Sequence, residues 1–230
     1  MSIAALIVAA GRSRRFGGEI PKQLALLGGK PILFHSIEIF QRMPEFDEIW
    51  LVLPREWVLG FEHRFDLSPY PKIVGFGPGG PRRQESVLAG LRSLPASTEV
   101  VAIHDAVRPF AAPEAIREAI GRARETGAAI LAALAVDTPK LCDENHRVVK
   151  TLERSHLWLA QTPQVFQFDL IRRAYEKVLA DEVVVTDDAA AVERLGLPVE
   201  IVPSPRPNPK ITTSEDLKFA EWLWHEGKKP

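Results

Sequence analysis

The sequence predicts an α/β fold: a doubly wound, mostly parallel sheet with helices on both faces and a protruding β-hairpin arm. Three observations predict it. The chain opens on an unbroken apolar run, Ile3 to Ala9, as a strand buried on both faces does. Runs of strand character then alternate with runs of helical spacing as far as Val136. There the alternation gives way to a short two-stranded pattern with polar faces.

The elements follow in order. After the first strand comes a polar, Gly-containing loop, Ala10 to Gln23. A helix opens at Pro31 and runs through Phe40, because Pro suits the first helical position. Glu48 to Leu53 reads as a strand, Arg55 to Phe65 as a helix and Lys72 to Gly75 as a short strand. Arg83 to Leu94 reads as a helix whose apolar stripe is Val87, Leu88, Leu91 and Leu94. Glu99 to Ile103 is a strand, Pro113 to Thr126 a helix and Ala128 to Val136 a strand. The arm holds Lys140-Leu141-Cys142, a turn at Asp143-Glu144-Asn145, and Arg147 to Lys150. Helices near Phe168 to Leu179 and Asp187 to Leu195, a strand at Val199 to Val202 and a helix from Ser214 complete the pattern.

The chain has 230 residues, which suits a single domain over 1–230 with 138–156 as a β-arm excursion. Net charge is −1, so a nucleic-acid partner is not expected. No apolar run approaches the roughly 18 residues of a membrane span. The opening residues lack a basic n-region, so a cytoplasmic protein is expected. The single cysteine, Cys142, has no partner for an internal disulfide and no zinc-type cluster around it, and reads as a small filler. Arg12, Arg14, Arg15 and Lys22 crowd one loop with only Glu19 among them, which points to a local anion site.

That loop follows the first strand, where ligands bind in open parallel sheets. It is not a Walker A loop, because Leu24 stands where the leading glycine would be and Pro31 follows Lys30. It is not the dinucleotide fingerprint either: Gly11 is present, but Ser13 and Phe16 fill the other glycine positions. What remains is a backbone whose N–H groups can face phosphate oxygens, with cations to neutralise them.

Ala9-Ala10-Gly11, Arg15 and Gly17, followed by Pro21-Lys22-Gln23, resemble the signature of nucleotidyltransferases with a Rossmann-like sheet. The most similar family is the 2-C-methyl-D-erythritol 4-phosphate cytidylyltransferases of the non-mevalonate isoprenoid pathway. Further segments carry the resemblance. They are Gly79-Gly80 with Arg83 and Ser86-Val87, His104-Asp105-Ala106-Val107-Arg108-Pro109, and Asp137-Thr138-Pro139-Lys140. Arg154 with Leu157-Trp158, Gln161-Thr162-Pro163-Gln164, Thr186-Asp187-Asp188-Ala189 and Asn208-Pro209-Lys210-Ile211-Thr212 follow. Ser13, Pro81 and Pro209 depart from the residues usual in that family.

The resemblance implies CTP held by Ala10, Gly11, Gly80, Arg83, Ser86 and Asp105, and an acceptor polyol phosphate held by Arg108, Thr138, Arg154, Thr186 and Lys210. Arg108 could instead hold Asp105, and Thr186 also suits a helix N-cap. Arg15, Lys22, Arg154 and Lys210 would be catalytic, the first two stabilising charge at the α-phosphorus and the others orienting the acceptor. Mg²⁺ would bridge CTP phosphates, with Asp105 nearest among the protein groups. The arm, 138–156, would join two chains in a homodimer whose interface Thr138 and Arg154 cross.

Other readings use the same residues. Ribitol 5-phosphate cytidylyltransferases share the loop and the fold. A non-catalytic nucleotide-binding module would lack cations such as Arg15 and Lys22. An NAD-dependent oxidoreductase would need the missing glycine fingerprint.

Overall fold

The computed structural model describes residues 2–11, 16 and 21–227. In chain order its elements begin with β1 (Ser2–Val8), the two-residue strands β2 (Leu26–Leu27) and β3 (Lys30–Pro31), and α1 (Ile32–Arg42). There follow β4 (Glu48–Leu53), α2 (Arg55–Val58), α3 (Phe61–Arg64), β5 (Ile73–Pro78), α4 (Arg83–Ser93) and β6 (Thr98–Asp105). Next come α5 (Pro113–Thr126), β7 (Ala128–Leu134), β8 (Lys140–Cys142), β9 (Val148–Thr151) and β10 (Trp158–Gln167). The chain closes with α6 (Phe168–Ala180), α7 (Asp188–Glu193), β11 (Glu200–Pro203) and α8 (Ser214–Glu226).

The central sheet has the order β11-β7-β10-β6-β1-β4-β5. β1 pairs in parallel with β4 and β6, β4 with β5, and β11 with β7. β10 alone runs antiparallel, between β6 and β7. The sheet is therefore mostly parallel, as expected, with one reversed strand near its middle. The segment containing Gln161 to Gln164 was expected as a motif, not as part of a strand.

Both faces of the sheet are covered, which explains the unbroken apolar runs. Ile3, Ala5 and Ile7 of β1 pack with α1 and α5, while Ala4 and Leu6 pack with α4 on the other face. Gly90 lets α4 lie directly on the sheet: a Cβ there would stand 2.6 Å from Leu6 Cδ1 and 2.7 Å from Val52 Cγ2. α5 starts with Pro113 at its first turn and ends at Gly127, whose φ of +100° and N–H bond to the Ala123 carbonyl close the helix.

Three expectations need correction. The helix expected over Arg55 to Phe65 is two short turns, α2 and α3, broken at Leu59 and at Gly60, where φ is +97°. The cap of α7 is not Thr186 but Asp187, whose carboxylate accepts from the Ala190 N–H at 3.0 Å. Cys142 is not a packed filler; it is exposed on β8. The arm itself stands where expected, β8 pairing antiparallel with β9. It leaves Leu141, Val148 and Val149 more than half exposed. Among the described residues no helix is long and apolar enough to cross a membrane.

Candidate active site

β1, β4 and β6 all run toward one edge of the sheet, and the loops leaving that edge carry the site. A cavity of about 490 Å³ opens there, lined by Ala10, Gly11, Lys22, Gly80, Arg83, Ser86, Asp105 and Lys210, among others. Every described residue expected at the nucleotide is therefore brought to one place. Arg15 lies outside the described residues, as do Arg12 and Arg14.

The floor of this cavity is a close stack of two loops. Gly79 is pressed against the first loop so tightly that a Cβ on it would stand 2.1 Å from Ala10 Cβ. Ser86 Oγ accepts from the Gly80 N–H at 3.0 Å, so the first turn of α4 holds the glycine loop in place. The buried Gln23 donates from Nε2 to the Ala9 carbonyl at 2.8 Å, which ties the short 3₁₀ turn carrying Lys22 back to the end of β1.

The wall is a chain of charges. Asp105, the last residue of β6, takes Arg83 Nε on Oδ1 at 3.0 Å and Lys210 Nζ on Oδ2 at 2.7 Å. Arg108 Nε lies 3.9 Å from Oδ2. Burial alone would raise the Asp105 pKa, but Arg83, Lys210 and Arg108 overcome it and hold the carboxyl far below the usual carboxylate range. Arg108 also donates from Nη1 to the Asn208 carbonyl at 2.6 Å, which fastens the loop that carries Lys210.

Behind Asp105 sits His104, fully enclosed, with burial pushing its pKa down to about 4. Thr162 Oγ1 accepts from the Asp105 N–H at 3.0 Å and lies 3.1 Å from His104 Nδ1. The hydroxyl proton therefore goes to Nδ1, which leaves Nε2–H to donate to the Arg108 carbonyl at 3.1 Å. His104 is a neutral strut under the charged wall.

On the far side of that wall lies a second cavity of about 290 Å³. Arg83, Asp105 and Lys210 are shared with the first, and Arg108, Gln161, Thr162, Gln164, Thr186 and Asp187 are among the rest of its lining. Three of the residues expected at the acceptor, Arg108, Thr186 and Lys210, meet here. Thr138 and Arg154 do not: both are exposed near the arm, and Arg154 Nη1 donates to the Val136 carbonyl at 2.8 Å.

Several residues of the site were named in the sequence only as members of matching segments, with no role assigned to them. Gln161 and Asp187 line the second cavity. Asp188 is wholly buried and binds Arg83 through both carboxylate oxygens. The signal for Asp188 was its place at the head of the apolar run Ala189-Ala190-Ala191, where a buried carboxylate requires a buried cation.

Comparison with known proteins gives a consistent result. The family model described as 2-C-methyl-D-erythritol 4-phosphate cytidylyltransferase matches residues 3–226. A protein of that name from Syntrophus aciditrophicus is 42% identical over 95% of this chain and 94% of its own. One from Geobacter metallireducens is 42% identical over 96% and 97%. Among solved structures, 4-diphosphocytidyl-2C-methyl-D-erythritol synthase from Anaerococcus prevotii superposes with a TM-score of 0.84 at 32% identity, covering 97% of this chain and 96% of that one.

Proposed function

Because the chain belongs to the 2-C-methyl-D-erythritol 4-phosphate cytidylyltransferase family, we infer that it transfers CMP from CTP to 2-C-methyl-D-erythritol 4-phosphate. The products are 4-diphosphocytidyl-2-C-methyl-D-erythritol and pyrophosphate. The observation that carries the reading to the site is the shared wall. Two cavities, one behind the first loop and one beside β10, meet at Arg83, Asp105 and Lys210. Two phosphate-bearing substrates seated on either side would bring their reacting groups together there.

The acceptor's phosphate oxygen attacks the α-phosphorus of CTP, and pyrophosphate leaves. That oxygen is already anionic at neutral pH, so no general base is needed. The one imidazole under the wall, His104, is neutral and bonded on both nitrogens. Catalysis then rests on positioning and on neutralising charge. Lys22, with Arg15 of the same loop, stabilises charge at the α-phosphate. Lys210 and Arg108 orient the acceptor phosphate.

Mg²⁺ fits this arrangement as an ion that arrives with the nucleotide and takes at most one protein carboxylate. Asp105 is the one carboxylate among the described residues lining the first cavity, and among the described residues no cluster of three or more His, Cys, Asp or Glu stands ready to hold an ion alone. Both Asp105 oxygens are engaged by cations, so reaching the metal would cost it Arg83 or Lys210. When bound, the ion would neutralise the triphosphate and ease departure of pyrophosphate.

The arm supplies the rest. Its exposed Leu141, Val148 and Val149 favour burial against a second copy. In such a homodimer, Thr138 and Arg154 would reach the acceptor cavity of the other chain. The reaction is placed in the cytoplasm, with no nucleic-acid or membrane partner.

The test is pyrophosphate release from CTP and Mg²⁺ with either acceptor. Release with 2-C-methyl-D-erythritol 4-phosphate alone supports the reading. Release with ribitol 5-phosphate instead keeps the chemistry and changes the substrate. Silence with both leaves a nucleotide-binding module.

A further inference from the structure

We propose that Asp188 and Tyr175, neither of which lines either cavity, are a positioning pair that sets the Arg83–Asp105–Lys210 wall through Arg83. Asp188 is 0% exposed and Tyr175 1%. A carboxylate so deeply buried is costly to keep charged unless it is fully bonded. Asp188 is: Arg83 Nη1 donates to Oδ1 at 2.9 Å and Nη2 to Oδ2 at 2.7 Å, a two-pronged fork that fixes the guanidinium plane. Tyr175 donates its hydroxyl to Oδ1 at 2.5 Å, which stops the carboxylate from turning.

The fork decides where the remaining edge of Arg83 points. With both Nη atoms drawn to Asp188, Nε faces Asp105 at 3.0 Å. Arg83 thus shares its charge between Asp188 and Asp105 Oδ1, and Asp105 Oδ2 is left for Lys210. The links close into a ring. Asp188 N donates to Gln164 Oε1 at 3.0 Å, Gln164 lies on β10, and Thr162 of the same strand bonds the Asp105 N–H. Loosening one member of a closed ring loosens the wall, although that member never meets a substrate.

This inference rests on the proposed assignment of the two cavities, and its test separates the two. Tyr175→Phe removes one hydrogen bond and keeps the ring volume. The expected result is a fall in kcat of about tenfold with KM for CTP within about twofold and an unchanged folded fraction, since small misplacements of positioned groups cost rate before binding. Asp188→Asn should lose about 10²-fold in kcat, and Asp188→Glu should recover part of it. A second readout needs no turnover: the Arg83 Nε–H proton resonance of the nucleotide-free protein should exchange with water faster in Tyr175→Phe than in the wild type. If wild-type protein fails to release pyrophosphate, the functional reading falls, and the exchange measurement still decides the pair. The pair is overturned by a Tyr175→Phe protein whose kcat is within twofold of wild type, by unchanged Nε–H exchange, or by a rate loss that only follows the folded fraction.

Discussion

Lys210 Nζ stands 2.7 Å from Asp105 Oδ2, and with Arg83 this pair forms the partition between the two cavities. Lys210 lines both, and on the proposed reading it orients the acceptor phosphate, so Lys210→Ala should affect the acceptor more than the nucleotide. We expect kcat/KM for the acceptor to fall by at least ~10²-fold, as for a removed transition-state donor, with CTP affinity within a few fold. Varying each substrate in turn, with a separate CTP titration, checks the split. Equal losses for both substrates would contradict the partition.

Lys22 lines the first cavity, the proposed nucleotide site, at the start of the 3₁₀ turn that Gln23 fastens to β1. Lys22→Ala should lower turnover at saturating substrates by ~10²-fold or more. A variant with near-normal turnover would remove Lys22 from the mechanism.

Gly79 and Gly121 make a paired test of space. A Cβ on Gly79 would stand 2.1 Å from Ala10 Cβ and 3.3 Å from the Leu53 carbonyl, so Gly79→Ala must push the two loops apart. The expected outcome is a raised KM for CTP and a stability loss of about 1–3 kcal/mol. Gly121 of α5 has nothing within 4 Å of a built Cβ, so Gly121→Ala should add about 0.5–1 kcal/mol. Denaturant unfolding of both variants measures the two signs.

His104 makes stability depend on pH in a defined window. In the folded protein it stays neutral down to about pH 4. In the unfolded chain it takes a proton near pH 6.5, so through that window the unfolded state binds more protons and stability falls as pH falls. Between pH 7 and about pH 4.5 this contributes a loss of about 2 kcal/mol. Unfolding curves for wild type and His104→Gln across that range should converge as the pH drops. Parallel curves would mean that His104 titrates alike in both states.

The proposed homodimer predicts complementation. Arg154→Ala and Lys210→Ala chains, each inactive alone, should recover activity when mixed and allowed to exchange. Mixed dimers would place an intact Lys210 cavity opposite an intact arm. No recovery despite demonstrated exchange would put Arg154 in its own chain's site.

Much of this was legible in the sequence because the sheet is covered on both faces. That arrangement writes strands as apolar runs such as Ile3 to Ala9 and Ala128 to Leu134. β10 was not legible, because Gln161, Thr162, Pro163 and Gln164 interrupt it with polar groups and a proline, which argues against a central strand. Its register on β7 breaks between Ala160 and Gln164, so Pro163 falls where no regular ladder bond is required. The residues proposed to meet substrates were named through the resemblance. Their supports could not be read from it: Arg83 and Asp188, the first residues of α4 and α7, are joined only in the folded chain, and no local pattern reports a contact so distant in sequence.

Asp105 gives the wall a property of its own. Arg83, Lys210 and Arg108 are gathered around one carboxylate. Its charge lets three cations stand side by side without repelling one another apart. On the proposed reading, a substrate phosphate would compete with Asp105 for cations already in place, and its second negative charge would favour it over a singly charged carboxylate, so the wall would select by charge as well as hold its shape.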